Sequence, residues 1–443
     1  MTLKACILAE QSAPRYTSYP TAPHFSAAIG ASTYAAWLDT LAPDATLSLY
    51  LHVPFCAELC RYCGCNTKVV RRQEPIDTYA ALLAREIELL GVRIGGRRVT
   101  TIHWGGGTPS TLGAERLAAL TRQLRGTFDC IGLREHAIEL DPRHINPALA
   151  QGLARAGVNR VSLGVQEFSA HVQRAIGRIQ PYETVAQGVA WLRQVGIADL
   201  NFDLMYGLPH QSAQDLHNTI LRAHELRPTR IALFGYAHVP WFKVHQRLID
   251  AAALPGAAER LLQAETARGA LTALGYVPIG LDHFARPEDS LARAAASGHL
   301  HRNFQGYTTD DATALIGIGA SSIGRLPQGF AQNAPDVGGY SRAIEAGTFA
   351  TARGIALSDD DRTRGQIIER LMCDFAVDLD AVAVGTEFPD AEAALEPLAR
   401  DGLVTVEGRR IVATQKGHPF VRLLAAAFDA YLASGTARHS RAV

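Results

Sequence analysis

The chain has 443 residues, 47% of them apolar, and sets 43 Lys and Arg against 43 Asp and Glu. That length suffices for two or three domains and a sizeable core. Zero net charge leaves no electrostatic footprint for nucleic acid or an anionic membrane surface, and no stretch reaches the ~18–20 apolar residues of a membrane span.

The first residues carry no apolar core of signal-peptide length, so a reducing, cytoplasmic location is expected. Lysine is confined to Lys4, Lys68, Lys243 and Lys416, so almost all positive charge is arginine, a residue suited to carboxylates. Residues 1–40 lack periodic apolar spacing. Within them Arg15-Tyr-Thr-Ser-Tyr-Pro-Thr-Ala-Pro-His24 reads as an extended arm, whose Tyr16 and Tyr19, with Phe25, suggest packing on something. Residues 47–53 are an apolar, β-branched and aromatic strand, ended by Pro54. The cysteine stretch Cys56-Ala-Glu-Leu-Cys60-Arg-Tyr-Cys63-Gly-Cys65 follows.

Strand and helix then alternate. Helices are expected at 76–92, 113–126, 146–156, 182–195 and 212–226. Strands are expected at 99–104, 137–142, 160–166, 199–207 and 230–238. Six βα units of ~30–40 residues predict a parallel sheet, as an open barrel or doubly wound. His52, Thr108, Glu139, Gln166, Asp203 and His238 fall at the C-terminal ends of these strands. In a barrel they converge on one mouth. Beyond lie a helix at 257–275, a strand at 276–284, a polar loop at 299–309 and a small-residue strand at 314–323. From about 360 the pattern becomes two helices, 361–373 and 390–401, a hairpin at 403–413 and an amphipathic helix at 421–431. This reads as a small winged-helix-like domain without basic excess, a lid or packing module. The expected division is 1–40, 41–355 and 356–443.

Four of the seven cysteines lie within ten residues. Disulfides are disfavoured in a neutral chain with its other cysteines, Cys6, Cys130 and Cys373, scattered. Structural zinc wants a second ligand pair, and none follows. The C-x3-C-x2-C spacing favours an iron–sulfur cluster. Three thiolates hold three irons of a [4Fe–4S] cube and leave the fourth open to a small molecule. The loop Gly105-Gly-Gly-Thr-Pro109 lets backbone approach a ligand, yet it is neither G-x-G-x-x-G nor a P-loop. Glu139 and Asp203 read as partners for a ligand hydroxyl or ammonium, or as salt-bridged structural acids. Gln166 and Arg178 read as carboxylate binders or as turn residues. His52 reads first as a buried, satisfied histidine.

The cysteine motif behind a strand, with the aromatic Tyr62, resembles the radical S-adenosylmethionine superfamily. Arg15-Tyr-Thr-Ser-Tyr-Pro-Thr21, Tyr50-Leu-His-Val-Pro-Phe-Cys56, Cys63-Gly-Cys65, His103-Trp-Gly-Gly-Gly-Thr-Pro109 and Asn303-Phe-Gln-Gly-Tyr-Thr-Thr309 narrow the resemblance. Over essentially the whole chain it is similar to the oxygen-independent coproporphyrinogen III oxidase family. The resemblance implies an α/β fold: a partial (β/α)6 parallel barrel, an N-terminal extended arm and a small, mostly helical, winged-helix-like C-terminal domain. It implies Cys56, Cys60 and Cys63 as ligands of a [4Fe–4S] cluster, and two S-adenosylmethionine molecules. Tyr50, Gly106, Glu139 and Ile323 match positions around the first. Tyr62, Gly107, Thr108, Gln166, Arg178, Asp203 and Ala237 match positions around the second. Phe304 and Gln305 match activity residues.

The implied reaction turns two propionates of coproporphyrinogen III into vinyl groups, in a monomer with an unidentified reductant. Radical chemistry suits a β-carbon that carries no acidic hydrogen. Arg15, Arg178 and Arg302 are candidate propionate partners. A heme-binding chaperone of the same superfamily, a radical methyltransferase using two S-adenosylmethionines and a zinc-dependent binding module are the alternatives. Cys-Gly-Cys and the arm argue against the chaperone.

Overall fold

The structure, a computed structural model, describes residues 3–432 and Arg441. Six parallel strands carry the expected alternation: β1 Leu47–Val53, β2 Val99–Gly106, β3 Glu135–Leu140, β4 Arg160–Gln166, β5 Asp199–Tyr206 and β6 Arg230–Gly235. They lie side by side in chain order, and β7 (Ala314–Ile318) adds a seventh parallel strand against β1. Antiparallel strands extend both edges: Ile323–Leu326, Gly329–Asn333 and Thr351–Ala356 beyond β7, and His283–Ala285 with Val277–Ile279 beyond β6. The two outer strands do not pair with each other, so the barrel is open.

The period of two along each strand explains both faces. On β1, Leu47, Leu49, Leu51 and Val53 are buried in a core shared with Leu83, Ile87 and Leu90 of helix Gln73–Ile94. Each such aliphatic burial contributes about 1.5–3 kcal/mol. Ser48, Tyr50 and His52 take the opposite face. Register then builds a polar lining: Tyr50 stands opposite His103, Glu139 opposite Ser162, and Ser162 opposite Asn201. Parallel strands leave their C-terminal ends, and hence the loops after them, on one side.

Several segments depart from the sequence expectation. The arm is not irregular throughout: Leu3–Glu10 and Ala31–Asp39 are helices, and the second buries Tyr34 and Leu38. The 276–284 strand is a hairpin, turned at Gly280 in the left-handed region. The 299–309 loop is also a hairpin, His301–Asn303 against Gly306–Thr308. The 314–323 strand stops at Ile318, because Gly319 and Ser321 both have positive φ and reverse the chain. The late helix is regular only over Val421–Ala426.

The C-terminal region holds helices Asp359–Asp374 and Pro389–Arg400, the hairpin Val404–Glu407/Arg410–Ala413 and a third strand, Ala376–Asp378. Its core includes two arm residues, Tyr16 and Tyr19. Tyr16 donates to Asp429 Oδ2 at 3.0 Å, and Ala430 N–H donates to Tyr19 Oη at 3.0 Å. The arm is thereby stitched to the C-terminal region. No described helix is long and apolar enough to cross a membrane.

Candidate active site

The cysteine loop leaves β1 at the barrel mouth. Phe55–Cys56 pairs in parallel with Lys68–Val69, closing a loop of residues 56–69. All the described cysteines are free thiols; Cys60 is buried, Cys56 and Cys63 are half-buried, and Cys65 is exposed. A segment after β6 grips the loop backbone. Gln246 Nε2 donates to Tyr62 O at 2.8 Å, Lys243 Nζ donates to Cys65 O at 2.9 Å, and His245 Nε2 lies 2.7 Å from Cys63 O.

Each of the three motif sulfurs has its own donors. Thr67 Oγ1 is 3.1 Å from Cys56 Sγ, and Thr108 Oγ1 donates to it at 3.5 Å. Arg178 Nη1 donates to Cys60 Sγ at 3.4 Å and Arg143 Nη2 at 3.9 Å. Cys65 hydrogen-bonds Cys63 and, against burial, brings it down to about 6 with help from His245 and Lys243. Burial raises Cys56, while its two threonines pull the other way. Among the described residues no three His, Cys, Asp or Glu side chains group as ligands of one metal ion. Three thiols with sulfur-directed donors suit a cluster in which each thiolate takes a different iron.

Arg143 and Asp141 were not singled out from sequence. Arg143 grips Asp141 through Nε (3.0 and 3.2 Å) and Nη2 (2.6 Å), and Arg178 Nη1 adds a third contact at 3.1 Å. Burial would raise Asp141, but the two guanidiniums hold it at about 2. The triad braces Cys60. It also changes the reading of Arg178, whose Nη2 donates to Gly164 O at 2.7 Å. Its fork is spent within the chain, which removes it as a propionate partner; only Nε is buried without a hydrogen-bond partner. The signal was Asp141 at the end of β3, the usual seat of site residues.

The glycine loop also serves the protein itself. Gly106 has φ +112°, and a Cβ there would lie 2.7–2.8 Å from the His52 ring. At Gly107 a Cβ would meet Phe55 O and Thr67 Oγ1 at 2.5 Å. Gly107 N–H donates to Val53 O at 2.9 Å and Thr108 N–H to Phe55 O at 2.7 Å. The glycines therefore seat the cysteine loop against β2.

Inside the mouth, Tyr50 Oη lies 3.1 Å from His52 Nδ1, and its ring stacks on His103 with centroids 5.9 Å apart. His103 Nε2 is 3.1 Å from Glu139 Oε1, and Gly106 N–H donates to Oε2 at 3.2 Å. Against burial, these contacts hold Glu139 below the usual carboxylate range. Asp203 accepts from Ser162 Oγ at 3.0 Å and Asn201 Nδ2 at 2.8 Å. Burial and the Glu139 charge still push it up to about 7. Two carboxylates in one mouth are thus driven apart in protonation.

The other candidates sit around this mouth. Gln166 has positive φ, and its Nε2 crowds Gly164 beside Arg178. The ring of Tyr62 packs beside Ile176 and Tyr236. Ile323 backs onto Gly317 of β7. Ala237 and His238 line a cavity of about 1470 Å³ beyond β5 and β6. Arg15 and Arg302 line the same cavity. Phe304 and Gln305 occupy the turn of the hairpin that carries Arg302, and Phe304 meets Phe330 edge-on at 6.0 Å.

Comparison with known proteins adds a second line. Residues 50–223 match the Radical SAM superfamily and residues 357–420 the HemN C-terminal domain. An oxygen-independent coproporphyrinogen III oxidase from Bradyrhizobium diazoefficiens is 50% identical, covering 98% of either chain. One from Escherichia coli is 41% identical over 95% of this chain and 93% of its own. The solved structure of coproporphyrinogen III oxidase (HemN) from Escherichia coli, a radical SAM enzyme, superposes with a TM-score of 0.90 at 40% identity. That match covers 94% of this chain and 98% of the other.

Proposed function

The chain belongs to the oxygen-independent coproporphyrinogen III oxidase family of the radical SAM superfamily, and from that premise we propose how its own residues serve the reaction. The enzyme oxidatively decarboxylates two propionates of coproporphyrinogen III to vinyl groups in heme biosynthesis, giving protoporphyrinogen IX. It uses a [4Fe–4S] cluster and two molecules of S-adenosylmethionine. When bound, these supply a carbon radical strong enough to take hydrogen from a β-carbon that no side-chain base can deprotonate.

The chain's part is to bind, orient and shield. Cys56, Cys60 and Cys63 are the cluster ligands in this reading, each with hydrogen-bond donors directed at its sulfur. Tyr50, Gly106, Glu139 and Ile323 border the first S-adenosylmethionine. Glu139, kept ionised beside His103, offers a carboxylate to ligand hydroxyl or ammonium groups. Tyr62, Gly107, Thr108, Gln166, Arg178, Asp203 and Ala237 border the second. Asp203, near neutrality, either donates or accepts a hydrogen bond there. Phe304 and Gln305 approach from the hairpin at the cavity wall. The arm and C-terminal region close over the mouth and exclude water.

We divide the chain as 1–40, 41–355 and 356–443, the arm lending Tyr34 and Leu38 to the main core and Tyr16 and Tyr19 to the C-terminal one. A monomer in a reducing cytoplasm, supplied by a separate reductant, completes the proposal.

The observation that carries the site assignment is the set of three motif thiols, each with hydrogen-bond donors aimed at its sulfur. The test is Cys56→Ala in anaerobically reconstituted protein. Iron, sulfide and the broad visible absorption should fall to background. Near-full iron content in the variant would sink the ligand assignment.

A further inference from the structure

The three motif sulfurs are not served alike. Cys56 faces two threonine hydroxyls, which are neutral donors. Cys63 is hydrogen-bonded by the Cys65 thiol, while Lys243 and His245 bind backbone carbonyls of the loop rather than a sulfur. Cys60 is the buried one of the three, and two guanidiniums are aimed at its sulfur, Arg178 Nη1 at 3.4 Å and Arg143 Nη2 at 3.9 Å. A charged donor at a buried sulfur acts far more strongly than a neutral one at a wet sulfur.

Local sequence fixes Arg143 in that place. Strand β3 ends at Leu140, and Asp141 caps the single turn Pro142–His144 that follows. Arg143 N–H donates to Asp141 Oδ1 at 3.0 Å, and Pro142 presets the first position of the turn. The Arg143 side chain then folds back, so that Nε and Nη2 hold both Asp141 oxygens. Its third nitrogen, Nη1, crosses to the cysteine loop and donates to Glu58 Oε2 at 2.6 Å. A planar fork held by a carboxylate on either side has little freedom left to lose in facing Cys60. Burial decides the charge that Cys60 feels. The side chains of Arg143, Arg178 and Asp141 are 13%, 7% and 9% exposed, but that of Glu58 is 61% exposed. Water and salt screen Glu58 and leave the other three unscreened. The buried set therefore sets two cations against one anion beside this sulfur. Reduction adds negative charge to an iron–sulfur cluster, and hydrogen bonds and charge at its sulfurs tune the potential.

We propose that Arg143 is a positioning residue that raises the reduction potential of the cluster, presenting its guanidinium to the Cys60 sulfur from a clamp on Asp141 and Glu58. The inference rests on the cluster reading above. One electron passes from an external reductant to the cluster and no bond forms or breaks, so Arg143 acts only on the free energy of the added charge. It acts through Cys60 and touches neither substrate nor S-adenosylmethionine in this reading. Arg178 is left out of the test, because it also borders the second S-adenosylmethionine.

The experiment is a potentiometric titration of anaerobically reconstituted, full-length protein without S-adenosylmethionine, followed by the EPR signal of the reduced cluster. In Arg143→Gln, iron and sulfide should stay at wild-type values while the reduction equilibrium at fixed potential falls tenfold or more, a midpoint lower by ~59 mV for one electron. Arg143→Lys keeps the charge and should recover at least half of that shift. A fall of less than tenfold in Arg143→Gln overturns the inference. So does Arg143→Lys with a midpoint no higher than that of Arg143→Gln, which would assign the shift to packing instead of charge. Should Arg143→Gln fail to load its cluster, Glu58→Gln decides. That side chain is mostly exposed, and its loss leaves the Arg143 charge less compensated, so the midpoint should rise; an unchanged or lower midpoint overturns the assignment. Wild-type protein that takes up no iron and sulfide brings down the cluster reading and this inference together. Wild-type protein with its cluster in place, and Arg143→Gln at the same midpoint, brings down this inference alone.

Discussion

Cys65 is the cysteine that three-point ligation does not require, and its thiol is engaged with Cys63. Replacing it with alanine removes that hydrogen bond, so the Cys63 thiol should rise from about 6 toward the ordinary ~8.5. Alkylation of Cys63 in apoprotein, followed against pH by mass spectrometry, reads this directly; an unchanged profile contradicts it. Asp203 gives a pH effect of definite sign. Its folded value of about 7 lies above the ~3.9 of an unfolded aspartate, so its stabilisation is complete below ~3.9 and lost as pH rises through 7. Allowing for water in the half-open mouth, the loss is on the order of 2 kcal/mol. Asp203→Asn should flatten the urea stability of apoprotein between pH 5 and 8; an unchanged slope counts against the assignment. At this scale the sequence showed the thiols, Glu139 and Asp203, because spacing and strand position are local signals. It hid Arg143, Thr67 and His245, because their role depends on which loops meet in space. Arg178 was seen, but its fork turned out to be spent on Asp141, Cys60 and Gly164.

At the scale of elements, the βα alternation was legible because each strand and helix carries its own period. The pairing of β7 with β1 was not, since it joins segments separated by some 265 residues. The two hairpins beyond residue 276 read as a strand and a loop because each strand is only three residues long, too short to show alternation. The glycine loop was recognised, but its packing against the cysteine loop was not. That packing makes Gly106 a position that tolerates no side chain. Gly106→Ala sets a Cβ against the His52 ring at a φ of +112°, costing about 2 kcal/mol or more and displacing the cysteine loop. Urea unfolding of apoprotein and iron content after reconstitution should both fall; wild-type values would refute the steric argument.

Across the whole molecule, the arm is the piece that joins everything else. Arg422 Nε donates to Pro14 O at 2.9 Å and Nη2 to Ala13 O, so a buried guanidinium of the C-terminal region holds the arm backbone. Phe25 stacks on Phe330 at 5.7 Å, fastening the arm's far end to the sheet extension. Arg422→Ala should release residues 13–19, at a cost of about 3 kcal/mol for the lost charged hydrogen bonds. Limited proteolysis should then cut within the first 25 residues, and the KM for coproporphyrinogen III should rise more than kcat falls, because Arg15 is no longer held at the cavity. An arm as protease-resistant as in wild type would show that Arg422 is not its anchor. Aromatic and proline content told from sequence that this segment packs; its partner, more than 400 residues away, was beyond any local pattern.

The measurement closest to the centre of this account is anaerobic turnover of the reconstituted enzyme with reductant, S-adenosylmethionine and coproporphyrinogen III. The expected result is protoporphyrinogen IX, with one 5′-deoxyadenosine formed for each vinyl group and none in Cys56→Ala. Formation of 5′-deoxyadenosine without a divinyl product, or tight heme binding with no vinyl formation, would contradict it.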